Sequence, residues 1–233
     1  MRVMLLLLCA IVVMQCSAQD CKTDAAYINS RDSLLASIHK DARKQFVDLK
    51  QLIPNLSIDL RYSTASNFTH TVLYRNAGAY MRVEPAMALK KVQEKLKKQG
   101  LALKIFDAYR PFSVTCKIWK TVADRRYVSN PKNGSNHNRG VAVDLTLIDL
   151  NTGRELDMGT VFDNFTDTAH HDFCNLPSNV LANRKVLKNV MRKFGFNIVP
   201  SEWWHYQWAR RSNYEVVNLS FDEIRQVMKL ARQ

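Results

Sequence analysis

Apolar and polar positions along this chain change period several times, and each change marks an element. Ser33 to Lys50 alternates charged and apolar residues at helical spacing. Leu56, Ile58, Leu60 and Tyr62 then alternate with Ser57, Asp59 and Arg61, the pattern of a half-buried strand. From Glu84 to Gln99, Ala86, Leu89, Val92 and Leu96 share one helical face, with lysines opposite, and Gly100 follows where a C-terminal cap belongs. Leu101 to Phe106 predicts another strand, after which Pro111 and Ser113 open a helix reaching about Arg125.

Beyond the polar stretch Asn130 to Arg139, Val141 to Ile148 predicts a strand with Ala142, Asp144 and Thr146 on one face. Residues 149–179 show little periodicity and read as a long loop, which in a compact domain is often functional. A helix from about Leu181 to Phe194, a strand around Trp203 to Trp208 and a helix from Phe221 to Ala231 complete the map. No Gly-rich phosphate loop follows any strand, which disfavours a doubly wound nucleotide-binding sheet. The expected fold class is α+β, a small, mostly antiparallel sheet with flanking helices.

The N-terminus changes the picture first. Arg2 precedes an apolar run from Val3 to Met14 and the small-residue stretch Cys16-Ser17-Ala18, so residues 1–18 read as a secretory signal peptide cleaved after Ala18. The run is too short for a membrane-spanning helix. Lipidation at Cys16 is a second reading, against which Gln15 speaks, because a small residue normally precedes such a cysteine. Export, with the periplasm as destination, is the expectation. Residues 19–30 read as a loose polar terminus, and residues 19–233 are long enough for one domain and too short for two plus linkers.

After removal of the signal, Cys21, Cys116 and Cys174 remain, enough for one disulfide at most, and the sequence does not say which pair. Lys and Arg total 34 against 21 Asp and Glu, a formal net charge of +13. Such a surface favours anionic envelope polymers or lipid head groups weakly, or serves solubility alone; no nucleic-acid motif accompanies it.

Candidate chemistry concentrates in two segments. Ser135-Asn136-His137-Asn138-Arg139-Gly140-Val141-Ala142-Val143-Asp144 sets a histidine seven residues before an aspartate. In an unbroken strand those side chains would face opposite ways, and a turn near Gly140 removes the conflict. In Glu202-Trp203-Trp204-His205, the odd separation likewise puts Glu202 at the strand's entrance. Two imidazoles and one carboxylate, His137, Asp144 and His205, make a catalytic zinc set with a fourth position for water, and Glu202 beside it can move protons. Each residue alone has a bland reading, a turn cap or a core histidine. Arg110, at the end of a third strand, adds to the constellation.

These residues resemble the D-alanyl-D-alanine dipeptidases of the VanX type, relatives of zinc D,D-carboxypeptidases and of the hedgehog signalling domain. The likeness rests on Asp59-Leu60-Arg61-Tyr62, Asn67-Phe68-Thr69, Asp107-Ala108-Tyr109-Arg110-Pro111, Ser135 to Asp144, Met158-Gly159 with Phe162-Asp163, and Glu202 to His205. It implies a hedgehog/DD-peptidase-like fold and one zinc per chain on His137, Asp144 and His205. Glu202 is implied as general base and acid, and Arg110 as the oxyanion's partner. The resemblance further implies that Asp163 reads the substrate's free amino end and that Ser135 and Tyr62 contact substrate. The implied activity is hydrolysis of D-Ala-D-Ala and related D,D-dipeptides, in cell-wall turnover. Alternatives are a carboxypeptidase or endopeptidase on peptidoglycan stems, or a zinc-dependent binding module without catalysis. His170 and His171 read as loop residues or outer partners.

Overall fold

The computed structural model describes residues 21–232, so the expected signal peptide and Cys16 lie outside the described residues. In chain order the elements are β1 (Tyr27–Ile28), α1 (Arg31–Lys40), β2 (Phe46–Asp48), α2 (Leu49–Leu52), β3 (Ser57–Ile58), β4 (Tyr80–Arg82), α3 (Val83–Lys97) and β5 (Leu101–Asp107). There follow α4 (Phe112–Thr121), β6 (Ala142–Asp149), α5 (Ser178–Lys193), β7 (Phe196–Val199), β8 (Glu202–Trp208), β9 (Val216–Val217) and α6 (Phe221–Leu230). The central sheet has the order β3-β5-β6-β8-β7, antiparallel except for the β3/β5 pair. The α+β expectation is met.

Alternation along β5 and β6 decides what each face of the sheet does. Leu103 and Ile105 lie opposite Leu147 and Leu145, and with Val143 they pack under the apolar stripes of α3 and α5. Those stripes comprise Leu89, Val92 and Leu96 of α3 and Leu187, Val190 and Met191 of α5. The opposite face carries Ala142, Asp144 and Thr146, as the sequence period required, and it builds the site. A second cluster, in which Leu34 and Ile38 of α1 meet Ile224 and Val227 of α6, closes over the tyrosines Tyr62, Tyr74 and Tyr109. Ser220 and Glu223 form a capping box at the start of α6.

Several elements differ from their sequence expectations. The helix expected over Ser33 to Lys50 stops at Lys40, because the Asp41 side chain accepts from Arg43 N and opens a separate turn. Phe46–Asp48 then pairs with Tyr80–Arg82, a contact no local period reveals. The strand expected over Leu56 to Tyr62 is only Ser57–Ile58, since Arg61–Ser63 winds into a 3-10 turn whose Tyr62 carbonyl accepts from Leu73 N and Tyr74 N. The helix opened by Pro111 ends at Thr121, short of Arg125. β7 is an addition, a four-residue strand after Gly195.

The segment expected to be loose is tied down twice. Tyr27–Ile28 pairs in parallel with Val216–Val217, and Cys21 is disulfide-bonded to Cys116 on α4. Cys174 is the free, exposed thiol among the described cysteines. Among the described residues no helix is long and apolar enough to cross a membrane.

Candidate metal centre and active site

Three neighbouring segments bring the chemistry together. Asp144 on β6 stands directly across from His205 on β8 in antiparallel register, so their side chains share a face. His137 arrives from the preceding loop, whose turn closes through Gly140 N donating to His137 O and Val141 N donating to Asn136 O, both at 3.0 Å. Gly140 has φ +70°, and a Cβ there would sit 2.4 Å from Cε1 of Phe46. Gly140→Ala is therefore expected to destabilise the protein by about 1–3 kcal/mol in urea unfolding and to weaken metal binding through His137. A loss below about 0.5 kcal/mol would show that the turn accommodates a side chain.

The ligand-bearing atoms of His137, Asp144 and His205 all lie within 4.8 Å of one another. His137 Nε2 is 3.3 Å from His205 Nδ1 and 3.3 Å from Asp144 Oδ2. The Nδ1 of His137 lies 2.7 Å from the Ala108 carbonyl, an acceptor only, which puts the proton on Nδ1 and leaves the Nε2 lone pair aimed at the other two groups. Asp144 Oδ1 is buried and lies 2.9 Å from His205 Nδ1. Two imidazoles and a buried carboxylate brought this close together offer a donor set that fits a divalent cation. Separations of 3.3 Å match the edge of a tetrahedron of donors about 2.1 Å from zinc, roughly 3.4 Å.

The groups around this trio form a cavity of about 180 Å³ lined by Tyr62, Arg110, Ser135, Asp163 and Glu202, among others. All five of these sequence candidates therefore meet at the metal group. Glu202, first residue of β8, has Oε2 3.5 Å from His205 Nδ1. Burial pushes its carboxyl up to about 7, against the pull of His205. Burial alone would raise Asp144, yet the two imidazoles hold it well below the usual carboxylate range. Burial alone would lower His205, and the facing Asp144 outweighs it in the upward direction.

Ser135 and Tyr62 are both 2% exposed and already engaged. Ser135 Oγ accepts from His137 N at 3.1 Å, so it shapes the ligand loop as well as the cavity wall. Tyr62 Oη donates to Asp163 Oδ2 at 2.9 Å. Asp163 adopts a left-handed φ of +60°, a strained conformation for a non-glycine residue. Desolvation, reinforced by Asp144, pushes its carboxyl well above its ordinary range, so it is a half-buried acid short of a cation.

Residues 42–224 match the family model for M15 peptidases, described as D-ala-D-ala dipeptidase. The chain belongs to the M15 peptidase family. Relatives bearing the name D-alanyl-D-alanine dipeptidase include one from Escherichia coli (strain K12), 36% identical over 173 residues, 74% of this chain and 89% of that protein. One from Enterococcus faecium is 32% identical over 69% of this chain and 90% of its own length. Another, from Streptomyces coelicolor, is 33% identical over 69% of this chain and 89% of its own.

Two features of this M15 peptidase were not legible beforehand. Asp107, 0% exposed, and Tyr74 form a polar network beneath Arg110. The signal for Asp107 was present, an acid ending an apolar strand three residues before Arg110, whereas Tyr74 sits in a segment without period. His170 and His171 stand apart from the metal group. His170 Nε2 lies 3.1 Å from Tyr127 Oη, and both ring nitrogens of His171 are buried without a hydrogen-bond partner.

Burial lowers the His171 pKa to about 4, which makes a sign-definite prediction. Above about pH 6.5 folded and unfolded imidazoles are both neutral, and His171 has no effect. Between 6.5 and 4 the unfolded chain takes up a proton that the folded one refuses, so stability falls as pH falls. Urea unfolding at pH 7 and at pH 4 should show the parent protein losing about 2 kcal/mol more than His171→Phe, with partial exposure allowed for. Equal losses would mean that His171 is hydrated.

Proposed function

We propose that this M15 peptidase is a zinc D,D-dipeptidase that hydrolyses D-Ala-D-Ala and related dipeptides, holding one zinc per chain on His137, Asp144 and His205. The observation that carries the reading is the meeting of this donor set with Glu202, Arg110 and Asp163 around one small cavity. Zinc held there supplies Lewis acidity, polarising a carbonyl and bringing the pKa of water towards neutrality.

The chain's own groups do the rest. Glu202 accepts the proton of the attacking water and delivers it to the amide nitrogen as the C–N bond breaks, for which a carboxyl held near neutrality is suited. Arg110 uses its Nε–Nη2 edge on Asp107, leaving the Nη1 edge for the oxygen that gains charge. Asp163 pairs with the substrate's ammonium, which returns its carboxyl to the charged form. Tyr62 holds that carboxylate in place, and Ser135 keeps the His137 loop in shape while bordering the substrate.

D-alanine release from D-Ala-D-Ala by the purified protein, metal-free and zinc-loaded, tests the reading. Zinc-dependent release with one bound zinc per chain supports it, and bound zinc with no release from any D,D-dipeptide would favour a binding module. Asp163 also borders a second cavity of about 800 Å³, room that an N-extended peptide could use in a carboxypeptidase. An N-acetylated tripeptide ending in D-Ala-D-Ala, cut as well as the dipeptide, would favour that second reading.

The same proposal places the protein outside the cytoplasm, in the periplasm, working in wall turnover. The Cys21–Cys116 disulfide supports an oxidising compartment. Exposed basic residues on the helix layer away from the site, such as Lys91, Lys95 and Lys97 of α3 and Lys185, Arg192 and Lys193 of α5, support weak contact with anionic envelope components. Fractionation with the mature chain in the cytoplasm would overturn the compartment.

A further inference from the structure

We propose that Asp107 and Tyr74 are positioning residues, a buried chain that fixes the Arg110 guanidinium at the edge of the catalytic cavity. The inference rests on the role given to Arg110 above and adds residues that touch neither metal nor substrate.

The geometry starts with a bulge. Register along β5 and β6 shifts between Ile105 and Asp107, so Asp107, rather than Phe106, lies opposite Asp144. Two carboxylates side by side on one face need a cation between them, and Arg110 provides it. Its Nε and Nη2 donate to Asp107 Oδ2 at 3.0 and 2.7 Å, and Nη2 is 3.8 Å from Asp144 Oδ2. The other oxygen of Asp107 accepts from Tyr74 Oη and from Ala108 N, each at 2.9 Å. All four acceptor positions of the carboxylate are thereby used, two of them on Arg110.

The guanidinium is held from other sides too. It lies over the Tyr62 ring at 5.1 Å, while Arg110 N donates to His137 O at 3.2 Å and Arg110 O accepts from Asn138 Nδ2 at 2.8 Å. A donor fixed in this way needs no reorganisation when charge develops in front of it. Arg110 lines the cavity and Asp107 does not, so Asp107 acts through the arginine.

A competing role, orienting His137, fails on the distances. Asp107 Oδ2 is 3.6 Å from His137 Nδ1, whose proton is already given to the Ala108 carbonyl at 2.7 Å. Tyr74 holds Asp107 through its hydroxyl and also interacts with Arg110 itself, and its ring packs on Tyr62 and Phe221 at 5.6 and 4.9 Å.

A double-mutant cycle on the zinc-loaded, full-length protein tests the inference. Asp107→Asn should lower kcat on D-Ala-D-Ala about 100-fold with KM within about threefold, and Tyr74→Phe should lower kcat about 3- to 10-fold. In an Arg110→Ala background, each should cost less than about twofold more, because the group they position is gone. Zinc content should stay at the parental level in both. Equal losses with and without Arg110 would make the roles merely structural and overturn the inference, as would loss of zinc from Asp107→Asn, which would route its effect through His137. A full-rate Arg110→Ala enzyme would instead sink the role of Arg110 itself. Should Asp107→Asn not fold, Tyr74→Phe, a single hydroxyl deletion, completes the same cycle.

Discussion

Glu202→Gln is expected to lower kcat for D-Ala-D-Ala by about 10²–10⁴-fold while leaving zinc content unchanged. The amide keeps the size and the placement of the carboxyl at the start of β8, 3.5 Å from His205, yet it cannot take a proton from water. His137, Asp144 and His205 do not depend on Glu202 for their arrangement, which is set by the β6/β8 register and the Ala108 carbonyl. Parallel measurement of kcat and bound zinc separates the possibilities. A variant that keeps its metal and more than about a tenth of its rate would remove Glu202 from proton transfer.

Replacing both bridged cysteines, Cys21→Ser with Cys116→Ser, is expected to cost about 4 kcal/mol and to lower Tm by about 10 °C. The bridge spans 95 residues, and closing so long a loop removes much of the freedom of the unfolded chain. The loss should reach the active site as well. Cys116 neighbours Thr115, whose hydroxyl accepts from Asn138 Nδ2 at 2.8 Å, and Oδ1 of the same Asn138 accepts from Ser135 N at 2.8 Å. Thermal unfolding and zinc affinity of the variant against the parent would check both effects. A Tm within 2 °C of the parent would mean that the β1/β9 pairing secures this segment unaided.

What the sequence disclosed followed from period. α3, β5, β6, β8 and α6 carry long, regular apolar spacing, and each stands within a few residues of its expected limits. Where the expectations failed, a non-local partner decided. Phe46–Asp48 is extended because Tyr80–Arg82 lies beside it, and Tyr27–Ile28 is ordered because Val216–Val217 does. No local window contains those facts.

The site divides in the same way. An odd spacing across Gly140 and another from Glu202 to His205 demanded an irregular backbone at two points, which made the donor set and its acid visible. Asp107 stood three residues before Arg110 in plain view, but its partner Tyr74 was invisible, because the two are 33 positions apart and Tyr74 lies in a segment without period. The pairing of Cys21 with Cys116 was likewise undecidable from three cysteines without the β1/β9 contact.

The bulge at the end of β5 puts consecutive residues, Phe106 and Asp107, to use at the site. Asp107 grips Arg110, and the ring of Phe106 stacks on Phe162 at 5.0 Å, seating the long loop that carries Asp163. On the function proposed above, the bond-breaking groups stand on β6, β8 and the loops beside them, while the group assigned to the amino end sits on a separate loop docked through an aromatic contact. Such a division lets descent act on the two separately. On the same reading, substitutions within residues 157–165 would alter which amino ends are accepted without disturbing the donor set formed by His137, Asp144 and His205.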